Sequence, residues 1–165
     1  MQGGVHLIRC ASTNDLEEIG AIYARAREYM RQTGNPTQWG DHSPALSVLE
    51  EDIRLQQLYL LEDDAGIQAV FALIPGEDPT YRNIKGSWLN EAPYAAIHRV
   101  ASAGKRNGVL VECLNYCTKQ YTNLKIDTHF DNRIMQHLLE KYGFCMCGTI
   151  YLENGDPRIA YQLVR

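Results

Sequence analysis

The spacing of apolar residues along this chain switches between the period of a strand and that of a helix, with turn residues at each switch. Residues 6–9 read as a short strand. Asn14, with Glu17 three positions on, has the form of a capping box, and Leu16, Ile19, Tyr23, Ala26 and Met30 then share one helical face. Gly34, Asn35 and Pro36 end that helix. Ser43 and Pro44 predict the start of a second, striped by Leu46, Leu49 and Ile53. Residues 58–61 and 67–73 form a predicted antiparallel hairpin across an acidic turn, 62–66. Residues 75–79 are a loop, and 81–93 are irregular or hold a short strand near Trp88.

A strand over 94–101 leads through the polar loop 102–108 into a helix over 109–119, with Leu110, Cys113, Leu114 and Cys117 at helical spacing. A strand at 124–128 follows, then a helix at 131–142 with Ile134, Leu138 and Tyr142 on one face. Strands at 144–152 and 158–164 flank an Asn154–Gly155 turn. The order is β-α-α-β-β-β-α-β-α-β-β, an α/β or layered α+β class. No repeat, low-complexity tract or linker interrupts it, so residues 1–165 read as one domain.

Composition narrows the function classes. Sixteen basic and twenty acidic residues give a net charge of −4, which argues against a nucleic-acid partner. No apolar run approaches the length that spans a bilayer, and residues 1–10 carry no signal-peptide core, so no membrane partner and a cytoplasmic location are expected. Five cysteines at these spacings make neither a disulfide framework nor a zinc knuckle; they read as buried, apolar residues. Asp127, His129 and Asp131 have no recognised closed ligand geometry, and no metal is expected.

The unit with chemical content is the strand, loop and helix from 95 to 119. Gly104, Lys105, Arg106, Asn107 and Gly108 open a helix whose first N–H groups are unpaired, an arrangement that attracts anions. It is neither a Walker A loop nor a dinucleotide fingerprint, and a solvated surface turn is an equal reading of the same residues. Two loops are expected to shape an acceptor site. One carries Gln38 and Trp39; the other runs over 75–88 with Glu77, Asp78, Tyr81 and Trp88, and Tyr94 follows it. Acids and aromatics suit a cationic amine, although the same aromatics would also serve to cap the core edge.

With these elements in this order, the chain resembles the GCN5-related N-acetyltransferase family. Lys105 falls in the Gln/Arg slot of that family's Q/R-x-x-G-x-G/A motif, Gly108 in the first glycine slot and Leu110 in the last, so two of three defined positions depart from it. Residues 126–132 running into Leu138-Leu139-Glu140-Lys141-Tyr142-Gly143-Phe144 are similar to the family's strand, asparagine and helix with its Y-E-K-L-G-F ending.

The resemblance implies a mixed, mostly antiparallel central sheet with helices on both faces. It implies acetyl-CoA bound in a gap between the strands at 94–101 and 124–128. A bulge would free backbone groups near His98, Val100 and Ala101 for the pantetheine arm. The N–H groups of Lys105, Arg106, Asn107, Gly108, Val109 and Leu110 would hold the pyrophosphate. Asn132 matches the position that hydrogen-bonds the pantetheine.

The implied activity is direct acetyl transfer to the amine of a small molecule or peptide. No glutamate occurs on 94–101, which leaves His98 as the candidate base, while alternation places Arg99 on the opposite face. Leu139 fills the slot of the family's usual acid, a tyrosine, and Tyr142 projects elsewhere. A CoA-binding module without catalysis and a protein-interaction domain with a degenerate cleft therefore stay open. Exposed strand edges and the terminal hairpin are where a homodimer would form.

Overall fold

The structure, a computed structural model, describes residues 6–165, and the first five residues of the segment in which no signal-peptide core is seen lie outside that range. The chain order is β1 (Leu7–Cys10), α1 (Leu16–Gln32), α2 (Leu46–Arg54), β2 (Leu58–Asp63), β3 (Gly66–Pro75), β4 (Lys85–Gly86), β5 (Ala95–Ser102), α3 (Val109–Gln120), β6 (Asn123–Thr128), α4 (Arg133–Tyr142), β7 (Cys145–Tyr151) and β8 (Pro157–Val164). The strands form one open sheet in the order β1-β2-β3-β5-β6-β8-β7-β4. Every neighbouring pair is antiparallel except β5 with β6.

Alternation along the strands feeds two cores. On one face Leu61, Phe71, Leu73, Ile97, Ile126 and Tyr161 pack with Cys113, Leu114 and Cys117 of α3 and Leu139 of α4. On the other, Leu58, Leu60, Val70 and Ala72 pack with Ile19, Ile22, Tyr23 and Ala26 of α1 and Leu49 of α2. The architecture is thus the expected mixed, mostly antiparallel sheet with helices on both faces. No helix among the described residues is long and apolar enough to cross a membrane.

Local differences from the sequence reading have local causes. The first helix is set by Ser12 and Asp15, not Asn14 and Glu17: the Ser12 N–H donates to the Asp15 carboxylate (2.8 Å) at a 3₁₀ turn ahead of α1. The second begins at Leu46, because Ala45 is still extended after Pro44. The fourth begins at Arg133, where the Asn132 side chain accepts the Met135 N–H (3.0 Å). The two-residue β4 is too short to show a period. Only Cys113 and Cys117 are buried; Cys10 and Cys145 are exposed and Cys147 is half-buried, so the cysteines do not behave as one apolar set.

The largest departure is in β5. Val70 pairs with Ala101 and Ala72 with His98, so Arg99 and Val100 together oppose Phe71 in a bulge. Arg99 has φ 55°, a left-handed conformation rare for a side-chain-bearing residue. Simple alternation is broken there. Instead of turning away from His98, Arg99 reaches Asp52 on α2, pairing Nε with Oδ2 (2.8 Å) and Nη2 with Oδ1 (2.9 Å). Gln57 donates to the same Asp52 Oδ1 (2.9 Å), and Tyr23 of α1 donates its hydroxyl to the Arg99 carbonyl (2.7 Å).

Asp52 is buried while Arg99 keeps about a fifth of its side-chain surface in water. Asp52→Ala is therefore expected to destabilise the fold by about 3 kcal/mol, the lower end of the cost of breaking a buried pair from one side. Equilibrium urea unfolding reads this; a loss under about 1 kcal/mol would mean that the pair does not hold the bulge.

Candidate active site

The parallel pairing of β5 with β6 lasts three residues, Ala95–Leu124, Ala96–Lys125 and Ile97–Ile126. From His98 onward β5 pairs with β3 alone, and its edge toward β6 is free of strand partners. A V-shaped gap opens there, beside the bulge.

A cavity of about 470 Å³ lies at this gap. Its walls are Val100, Ala101 and Ser102 of β5, the loop residues Gly104, Arg106, Asn107 and Gly108, and the first turn of α3, Val109 to Val111. Gly108 caps α3 with φ 82° and offers no side-chain bond, while the first intrahelical bond here runs from the Glu112 N–H to the Gly108 carbonyl. The N–H groups of Val109, Leu110 and Val111 precede it and have no intrahelical acceptor. They meet the positive end of the helix dipole, as an anion site requires.

The charges around this loop are distributed differently from their order in sequence. Arg106 donates Nε to Asp63 (3.0 Å) and Nη1 to Glu112, which offsets most of its charge. Its Nη2 is buried with no partner among the described residues. Lys105 is exposed and outside the lining, and its Nζ would lie 3.7 Å from a Cβ placed on Gly66. Arg25 of α1 instead covers the loop so closely that a Cβ on Gly104 would sit 1.8 Å from its Cζ. Gly104, at φ 74°, is what admits that guanidinium.

The remaining walls are apolar. Met30 and Tyr29 of α1 and Ile134, Met135 and Leu138 of α4 face the space. The stripe expected to bury α4 thus points in part into the cavity, and the side chain that enters the core is Leu139. Asn132 lines the cavity as well, with Oδ1 capping α4 and Nδ2 donating to Gln38 Oε1 (3.0 Å).

On the sheet face of α1 and α2, a separate polar cluster meets the same gap. His98 Nε2 is 2.8 Å from Asp78 Oδ2, and Nδ1 is 4.0 Å from Asp127 Oδ1. Tyr81 donates its hydroxyl to Asp127 Oδ1 (2.6 Å), and burial, with Asp127 beside it, pushes the Tyr81 phenol well above its ordinary range. Burial alone would raise the Asp78 carboxyl, but bonds from His98 and Thr80 outweigh it and hold Asp78 at about 2. Tyr94 accepts the Asp78 N–H (2.7 Å), and the rings of Trp88 and Tyr94 lie 4.0 and 3.9 Å from Lys125 Nζ. The imidazole thus lies between two carboxylates, hydrogen-bonded to one of them.

Most of the residues singled out from sequence fall into two groups. Val100, Ala101, Arg106, Asn107, Gly108, Val109, Leu110 and Asn132 line the cavity; His98 and Lys105 do not. Tyr81 and Tyr94 join His98 in the polar cluster. Trp39 packs edge-on against Tyr23 (5.5 Å), and Gln38 bridges Asn35 and Asn132 through its Oε1. Sequence reasoning missed Arg25, Tyr29 and Met30. Arg25 and Tyr29, four apart on α1, were the available signal, since both lie off its apolar stripe.

No protein-family model and no curated protein matches the chain. Solved structures do. A GNAT-family acetyltransferase from Streptococcus agalactiae 2603 is 28% identical, with a TM-score of 0.86 over 97% of this chain and 95% of that one. A GNAT-family acetyltransferase from Listeria monocytogenes 4b F2365 shares the fold at 20% identity and TM-score 0.72, over 97% and 95%. So does yncA of Salmonella typhimurium, solved with its cofactor acetyl-CoA, at 13% identity and TM-score 0.59, over 96% and 93%.

The depressed Asp78 carboxyl has a consequence for acid stability. A carboxylate held below its unfolded value contributes fully above about pH 4 and loses that contribution as pH falls toward 2. Asp78→Asn should cost about 2 kcal/mol at neutral pH, with the difference from wild type closing between about pH 4 and pH 2. Urea unfolding at both ends of that window checks it; a difference independent of pH would contradict the ionic role.

Proposed function

We propose, from its likeness to GNAT-family acetyltransferases, that the chain is a GCN5-related N-acetyltransferase and transfers an acetyl group directly from acetyl-CoA to the amine of a small molecule or peptide. The observation that carries this reading is the gap itself, with a phosphate-type nest at one end of its cavity and a histidine–carboxylate cluster on its other side. The donor set fits the cofactor. Unpaired N–H groups of Val109 to Val111, the orphaned Arg106 Nη2 and the Arg25 guanidinium match an anionic group. Ile134, Met135 and Leu138 offer an apolar wall for a pantetheine arm, and the free edge of β5 offers backbone bonds to it. Bound acetyl-CoA supplies an activated thioester acetyl group.

The remaining steps belong to the chain. His98 takes the proton that an acceptor ammonium must lose before it can attack, and Asp78 orients the ring. Tyr81 and Asp127 close the cluster on its other side, and β5 N–H groups beyond Ile97 are donors for developing negative charge. A second reading, an acetyl-CoA binder without turnover, is favoured by one feature. Leu139, in the slot of the family's acid, is fully buried, and Tyr142 donates its hydroxyl to Asn115 (2.6 Å).

Acetyl-CoA at a hundred times its Kd should stabilise the fold by about 2.7 kcal/mol and raise Tm by about 5–10 °C. Free-thiol release should follow with a suitable amine, and His98→Ala should lower kcat by about a hundredfold or more while keeping the Tm shift. A shift without thiol release across a broad amine panel selects the second reading, and no shift at all would sink both.

A further inference from the structure

Three partly buried arginines are matched to carboxylates: Arg9 to Asp15 and Glu62, Arg99 to Asp52, and Arg106 to Asp63 and Glu112. Arg158, on β8, is buried more deeply than any of these, at 5% exposure. It has no carboxylate at salt-bridge distance among the described residues. Its guanidinium rests on two neutral carbonyls, Nη1 donating to Pro157 (2.9 Å) and Nη2 to Gln38 (3.2 Å). The other deeply buried cation, Lys125, is compensated by the faces of Trp88 and Tyr94. Arg158 has no such partner, and an unpaired buried charge is costly. Burial lowers the guanidinium's proton affinity, against the more distant pull of Asp127 and Asp156.

Arg158 sits at one end of the polar cluster. Asp127 pairs with Ala160, two residues from Arg158 on the same strand face, and His98 follows the Ile97–Ile126 pair and so neighbours Asp127. The face therefore reads His98 on β5, Asp127 on β6 and Arg158 on β8. Proton acceptors stand at one end and an uncompensated cation at the other. The Gln38 carbonyl over Arg158 belongs to the loop between α1 and α2, whose Pro36 and Thr37 are exposed.

We propose that Arg158 binds the carboxylate of the acceptor, so that the acceptor is a free amino acid with its amine toward His98 and Asp127. The carboxylate takes the place of the Gln38 carbonyl on Nη2, a charge-assisted and bidentate-capable bond in place of a neutral one. This rests on the acetyl-transfer reading and names its substrate class.

The test is thiol release with free L-amino acids, each beside its own amide and its decarboxylated amine, using wild type and Arg158→Gln. Acids should exceed amides about tenfold or more in kcat/KM. Arg158→Gln, shown folded by its acetyl-CoA Tm shift, should bring that ratio near one through KM for the acids. Amides or simple amines used as well as acids by wild type would overturn the proposal and leave acetyl transfer standing. Equal losses for acid and amide in Arg158→Gln would overturn it too, because a loop anchor alone predicts that. If no amine releases thiol, the transfer reading fails, and calorimetry of N-acetyl-L-leucine against N-acetyl-L-leucinamide in the presence of CoA decides the carboxylate site. Binding of the acid alone, lost in Arg158→Gln, upholds it; equal or absent binding of both overturns it.

Discussion

The bidentate pair of Arg99 with Asp52 fixes the point at which β5 ceases to be an ordinary strand, and the gap depends on that point. Alternation from Ile97 would direct residue 99 into the apolar core under α3. A guanidinium has no place there, and the bulge turns it toward α2 instead. The left-handed backbone this requires costs about 1–3 kcal/mol and persists only where its surroundings over-determine it. Here α2 holds the side chain through Asp52 and α1 holds the carbonyl through Tyr23. The extra residue then lets Val100 pack toward one core while Ala101 packs into the other. Without it, every residue beyond the bulge would exchange faces.

That geometry separates two electrostatic environments on either side of β5. The cavity side is cationic through backbone donors more than through side chains, since Arg106 is matched by Asp63 and Glu112 and Lys105 stands apart. Its side-chain charge comes from Arg25, on α1 and far from the loop in sequence, and the net −4 of the chain conceals it. The opposite side holds His98 between Asp78 and Asp127, with Arg158 beyond. An anionic ligand and a cationic amine would thus approach the same gap along different fields.

Much of this was legible in the sequence because it rests on local signals. Strand and helix order, both helical faces of the core and the Gly-rich loop before α3 follow from periodicity and turn chemistry. What was not legible depends on residues far apart in the chain. The bulge has no signature in Ala95–Ser102; it needs Asp52, 47 residues away. Arg25 over Gly104 and Arg158 under Gln38 are likewise long-range encounters, the latter across 120 positions. Ser12 displaced Asn14 as the start of the first helix for a smaller reason: the Asp15 carboxylate accepts the Ser12 N–H and fixes the turn there.

An amphipathic helix ordinarily has one apolar face, yet in α4 Leu139 is fully buried in the core while Ile134, about half exposed, and Leu138 turn to the cavity. Apolar side chains left facing water are unfavourable to the extent of the area they would bury. Their position beside the uncapped start of α3 describes a ligand that is anionic at one end and apolar along its middle. It also accounts for Leu139 in place of a tyrosine: on this helix the residue three positions before Tyr142 belongs to the core, where a hydroxyl would need a buried partner. In the proposed transfer a proton needed at the gap would then come from the His98 side or from solvent, which would concentrate the chemistry on the face of the histidine–carboxylate cluster.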